Sequence, residues 1–270
     1  MSSLTQFART RAADRAAIVN QQRECLLTDT AEDTVHDFRV ALRRMEQIFE
    51  LFDSEPLAFD IHQAQQQMND WMRAAGRVRD CDVAMPLMPA PWTNDLLAMR
   101  RDRAAELVQI LSAGPAMPAP AMKRLRSPSF SEEVARFARM TLPREAKAYF
   151  QAGARAARKK HSIGRLHEFR LHGKSLRYSL ELFQPLYGCR VRDIQKMLKR
   201  TQQLLGEMAD ARAGLKLAKL MNAPDRILEP LRLLAHEKRD AFAGRWLKEV
   251  PDEAAAARWV EYLRRYATVR

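Results

Sequence analysis

Two segments of the chain repeat one another. HDFRVALRRMEQIFELF begins at His36 and HEFRLHGKSLRYSLELF begins at His167, 131 residues later. Aligned on the histidine, His36 matches His167, Phe38 matches Phe169, Arg39 matches Arg170, and Arg43 meets Lys174. The segments end alike, with Glu50, Leu51 and Phe52 against Glu181, Leu182 and Phe183. A second pair follows at an offset of 130, GRVRD from Gly76 against GEMAD from Gly206, sharing the glycine and the aspartates Asp80 and Asp210. Internal repetition marks an architecture built from a duplicated unit. Here it predicts two related helical bundles arranged about a pseudo-twofold.

The period inside each copy is helical. At about 100° per residue, Phe38, Leu42, Met45, Ile48, Phe49 and Phe52 gather on one side, and His36, Arg39, Arg43, Glu46 and Glu50 on the other. The second copy places Phe169, Leu176, Leu180 and Phe183 toward a core. Its polar stripe is His167, Arg170, Lys174, Arg177 and Glu181. A polar stripe on one helix is ordinarily a solvated face carrying i,i+3 and i,i+4 ion pairs. The same stripe in the same register twice points instead to a site.

The rest of the chain agrees with an all-α fold. Ala, Arg, Leu, Met, Glu and Gln dominate, only 9 of 270 residues are glycine, and no alternating run of β-branched residues appears. Proline-rich breaks at 85–92 and 114–130 interrupt the helical pattern. The second break, carrying a basic KRLR, separates a first bundle at 1–113 from a second at 131–270. Helices are expected near 4–27, 34–54, 58–79 and 93–112, then 131–158, 164–186, 190–208, 211–222, 226–248 and 252–268. Asp33 or Thr34 is the expected cap of the helix that carries the first repeat.

Charge narrows the ligand class. The net charge is +13 with a pI of about 10.1. From Gly153 to Arg200, thirteen Lys and Arg residues face three acids, Glu168, Glu181 and Asp193. Such crowding is repulsive unless an anion compensates. Guanidinium groups fork onto phosphate oxygens, lysine acts as a point charge, and histidine donates from either tautomer. Nucleic acid, anionic lipid and polyphosphate all satisfy this. The three scattered cysteines read as free thiols in a reducing compartment. The N-terminus lacks the apolar core of a secretory signal, and no run is long enough for a membrane span, so a cytoplasmic location is expected.

Other constellations carry less. HGKS at 172–175 resembles the end of a phosphate-binding P-loop, but the required earlier glycine is Glu168 and the segment is helical. His167 and His172 diverge by about 140° on a helix, which with His161 makes a poor metal site. Asp80 and Asp82 could hold a cation, though a salt bridge or helix cap is the simpler role. Glu50 and Glu181 read as carboxylates that orient arginines of their own stripes. No nucleophile–base pair, metal-binding acidic cluster or catalytic glycine loop is present, so neither enzyme activity nor a cofactor or metal is expected. Aromatic residues are not interleaved with the basic stripe as stacking platforms for single-stranded nucleic acid usually are.

Four elements together resemble a known family. VHDFRVALRR is similar to the H-x-x-R-V-x-x-R-R signature of CHAD domains, and GRVRDCDV to the R-x-R-D-x-D-V element that follows it. HEFRLHGKSLRY resembles the second-half H-x-x-R-x-x-x-K-x-x-R-Y element, and LLGEMAD the L-G-x-x-x-D element after it. The elements occur in the family's order and cover most of residues 35–210. The resemblance implies an all-helical domain of two four-helix bundles related by pseudo-twofold symmetry. It also implies inorganic polyphosphate bound along a basic central groove or pore. The implied contacts are His36, Arg39, Arg43, Arg44, Arg77, Arg79, His167, Arg170, Lys174 and Arg177. GEMAD lacks the arginines of GRVRD, and Lys196, Lys199 and Arg200 are the expected replacements. Association with a polyphosphate granule is a further implied possibility. The alternative expectation is a nucleic-acid-binding helical protein. Gly173, inside the second repeat helix, is expected to admit a ligand or a neighbouring helix.

Overall fold

A computed structural model describes residues 2–90, 92–120, 130–157, 163–250 and 252–269. At residues 163, 164 and 167 the description is confined to the backbone. The KRLR segment, Arg158, Lys159, Lys160 and His161 fall outside the described residues. The described chain is helical and contains no strand. The helices are α1 (Ser3–Thr28), α2 (Glu32–Leu51), α3 (Ile61–Ala84), α4 (Trp92–Ala113), α5 (Glu132–Ala157), α6 (Ile163–Phe183), α7 (Val191–Leu220), α8 (Asp225–Glu249) and α9 (Glu253–Arg265). Short 3₁₀ turns follow α3 and α6.

Two expectations for these elements need correction. The helices expected at 190–208 and 211–222 are a single 30-residue helix, α7. One glycine costs a helix only about 1 kcal/mol against alanine, and Gly206 is too weak a breaker to divide a run so rich in Leu, Lys and Gln. Neither Asp33 nor Thr34 caps α2. The helix begins one residue earlier, the capping position is Ala31, and no side chain caps it. Asp29 instead accepts from the Ala31 N–H at 2.9 Å, and Glu32 and Asp33 lie in the first turn, where the helix dipole favours negative charge.

The chain forms two compact units. Unit 1 comprises Thr5–Pro128 and Asp210–Leu233; unit 2 comprises Ser2–Leu4, Ser129–Ala209 and Leu234–Arg270. The division therefore does not follow the 114–130 break alone, because α7 and α8 each contribute to both units. The reason is visible in the core of unit 1. Leu217, Ala218, Leu228 and Leu231 are buried in one cluster with Cys81, Ala84 and Leu96 of α3 and α4.

In unit 1, α2 buries the apolar face read from its period. Phe38, Leu42, Met45, Ile48, Phe49 and Phe52 are all at most 2% exposed. Phe38 meets Trp71 of α3 with ring centroids 5.9 Å apart. In unit 2, Phe169, Leu176, Leu180 and Phe183 of α6 are fully buried. Phe169 stacks on Tyr149 of α5 at 4.8 Å and meets Trp246 of α8 edge-on at 5.1 Å. The matched phenylalanines of the two repeats thus each dock on an aromatic residue of another helix. Such pairs add about 0.5–1.5 kcal/mol beyond burial.

Two glycines separate helix packing from helix propensity. Trp246 lies against Gly153 of α5 so closely that a Cβ there would be 2.1 Å from the indole. A Cβ on Gly206 would meet nothing within 4 Å. Gly153→Ala should cost about 1–3 kcal/mol through overpacking, whereas Gly206→Ala should stabilise by about 0.5–1 kcal/mol. Urea unfolding of both variants reads the two opposite signs.

Candidate functional site

The buried phenylalanines fix the rotation of α2 and α6, and the basic positions follow from that rotation. On α2, His36 is exposed, and Arg39, Arg43 and Arg44 are partly exposed. On α6, Arg170, Lys174 and Arg177 are partly exposed, while the side chain of His167 lies outside the described residues. The repeat therefore presents matched cations, Arg39 with Arg170 and Arg43 with Lys174, away from two separate cores.

In unit 1 the cations of α2 and α3 belong to one surface held by specific contacts. Arg39 crosses to α3, where Nη1 donates to the Met72 carbonyl at 3.0 Å and lies 3.0 Å from the position a Cβ would take on Gly76. The glycine of GRVRD therefore makes room for the arginine of the first repeat. Its counterpart Gly206 has nothing near its Cβ position, so this contact is not duplicated in the second copy. Arg77 donates Nη2 to Glu106 of α4 at 2.5 Å, and Arg79 donates Nη1 to Glu32 of α2 at 2.6 Å. Arg43 pairs along its own helix with Glu46 at 2.6 Å. Glu50 was expected to orient an arginine of this stripe; the direct partner of Arg43 is Glu46. One turn separates Arg43 from Glu46, and that shorter reach wins.

Unit 2 uses similar chemistry more loosely. Arg177 stands 3.9 Å from Glu181, as expected of that glutamate, and lies over the Tyr178 ring at 4.5 Å. Tyr178 is buried, so it supports the arginine and offers no face to a base. On α7, Lys196, Lys199 and Arg200 are exposed. Lys196 is 4.0 Å from Asp193, and Arg200 is 3.6 Å from Glu249 of α8. Gly173 admits a helix: its Cβ position is 3.2 Å from Tyr149, and its carbonyl accepts from Gln202 of α7 at 2.5 Å. The Nε–H groups of Arg43, Arg77 and Arg177 are buried and donate to no acceptor among the described residues.

Of the aspartates of RDCDV, Asp82 has a structural role. Asp82 is buried and accepts from Arg100 Nε of α4 at 2.5 Å. Arg100 also donates Nη2 to the Thr30 carbonyl at 2.7 Å, joining α4 to α3 and to the loop before α2. Arg103 donates to the Arg77 carbonyl at 2.9 Å and supports the same turn of α3. Among the described residues, no group of three His, Cys, Asp or Glu side chains is placed to hold a metal. No described helix is long and apolar enough to cross a membrane. The partners Glu32, Glu106, Glu249 and Arg100 escaped the sequence reading. Each comes from a different helix, or from a residue too far along the chain for spacing to reveal.

Burial pushes the Asp82 carboxyl above the usual range, and the hydrogen bond and charge of Arg100 pull it back. A folded-state value above the unfolded one means that the fold favours the protonated form. Stability from this group is then fully present below the unfolded value and is lost as pH rises through the folded value. Without Arg100 that loss must grow. Arg100→Met should cost about 3–5 kcal/mol at neutral pH, the range for an uncompensated buried charge. The penalty should shrink near pH 4, as read by denaturant unfolding of variant against wild type at both pH values.

Comparison with known proteins agrees with the all-α fold. The CHAD domain family matches residues 11–219. The crystal structure of the CHAD domain from the plant Ricinus communis is similar, with a TM-score of 0.62 at 19% sequence identity. The match covers 99% of this chain and 94% of that one. That likeness shows a shared all-α fold. No curated protein matches the chain. With the family matched across most of its length and the signature helices folded as described, this chain belongs to the CHAD domain family.

Proposed function

We propose that this chain binds inorganic polyphosphate without chemical turnover, through the basic faces of α2–α3 and α6–α7. One observation carries the reading. The repeat buries its matched phenylalanines and leaves its matched cations at the surface in both units. A solvated face places no demand on which polar residue recurs where. An anion site does, because guanidinium groups grip phosphate oxygens directionally. The choice of polyphosphate over other phosphate polymers comes from the family resemblance. Binding should strengthen with chain length, since a longer chain engages more of the cations along a basic face at one cost of association. It should weaken with salt, because neutralised phosphates release their counterions.

The non-enzymatic part rests on the chemistry available. Of the carboxylates near the stripes, Glu46, Glu106 and Glu181 are engaged with arginines. A general base needs a carboxylate within reach of a nucleophile, and a metal-assisted route needs a ligand set. Nucleic acid is the competing polyanion. Its single-stranded forms are commonly held by exposed aromatic platforms, and the tyrosine beside the α6 stripe is buried.

The test is displacement of labelled long-chain polyphosphate by tripolyphosphate, pyrophosphate, single-stranded DNA and RNA at fixed salt. The variant is Arg43→Gln/Lys174→Gln, a matched pair from the repeat that leaves the Arg39 strap to α3 in place. Long polyphosphate should outcompete nucleic acid per charge. The variant should bind roughly tenfold more weakly, with the salt slope reduced by about one to two. Equal competition by DNA or RNA, or unchanged binding by the variant, would reject the reading.

A further inference from the structure

We infer that Glu46 and Glu106 are built-in competitors for the phosphate, which set the site's selectivity against small phosphate anions. This rests on the polyphosphate reading above and adds a determinant of specificity to it. Three site arginines sit close to carboxylates, Arg43 with Glu46 at 2.6 Å, Arg77 with Glu106 at 2.5 Å and Arg79 with Glu32 at 2.6 Å, and the first two share a further feature. In both, one terminal nitrogen serves the glutamate while Nε–H, buried, has no acceptor among the described residues. The hold is therefore incomplete: the carboxylate occupies the arginine without satisfying its donors.

A ligand entering this surface exchanges one anion for another. A single phosphate that takes Arg43 or Arg77 gains one charge-assisted contact and breaks one. The exchange is nearly balanced, so small anions gain little. A polymer reaches several cations with one entropic cost of association. Each exposed ion pair resists displacement by about two- to fivefold in affinity. Displacement also changes the salt response. A released glutamate gathers cations from solution, which offsets the cations that the phosphate gives up. Wild-type binding should therefore show a shallower salt slope than its number of phosphate contacts implies.

The test is Glu46→Gln/Glu106→Gln, titrated with tripolyphosphate and long-chain polyphosphate across a salt series. The control is Asp14→Asn/Glu24→Gln, which makes the same change in net charge. Its carboxylates pair with Arg11 and Arg23 of α1, which are not site residues. The glutamine variant should bind tripolyphosphate roughly tenfold more tightly than the control does and show a steeper salt slope. If wild type binds polyphosphate and the variant follows the control in affinity and slope, the inference fails while the function stands. If neither wild type nor variant binds polyphosphate, both fall.

Discussion

The docking of Phe38 and Phe169 onto aromatic partners in their own units determines where every cation of the repeat goes. Phe38 packs on Trp71, and Phe169 sits among Tyr149, Phe242 and Trp246. A helix with its phenylalanine anchored cannot rotate without exposing that ring and burying an arginine. Burying an unpaired charge costs far more than a hydrophobic side chain gains. The rotation is thus fixed from both sides, and the residues at i+1 and i+5 from the phenylalanine are held at the surface. The basic face is a consequence of core packing in each unit.

A protein with a net charge of +13 must also keep its own cations from repelling one another. Glutamates from neighbouring helices do part of this work. Glu32 bridges α2 to Arg79 of α3, Glu106 bridges α4 to Arg77 of α3, and Glu249 of α8 approaches Arg200 of α7. Beneath them, the buried Asp82–Arg100 pair and the Arg39–Met72 hydrogen bond fix the backbone from which the surface cations project. In the function proposed above, Glu106 both bridges two helices and is displaced by the polyanion, so one residue would serve fold stability and ligand selectivity together.

The helices and their buried faces were legible in the sequence because a 3.6-residue period leaves little choice about which residues share a side. Every apolar position read on α2 and α6 is buried. The contacts between helices were not legible. Glu32 lies 47 residues from Arg79 and Glu106 lies 29 from Arg77, and a single sequence shows no pattern at such separations. The continuity of α7 was missed: the expected break at 209–210 falls on Ala209 and Asp210, where neither glycine nor proline interrupts the helix. The sharing of α7 and α8 between units was missed because periodicity reveals that Leu217 and Leu231 are apolar, and not which core they enter.

The most direct test follows the arginine Nε–H resonances by NMR while long-chain polyphosphate is added. The repeated stripes are the central claim, so shifts should concentrate on Arg39, Arg43, Arg77, Arg170 and Arg177. Arg232 and Arg264, which are paired with acids elsewhere, should stay in place. Shifts spread evenly over all exposed arginines would contradict the account and reduce the stripes to ordinary basic surface.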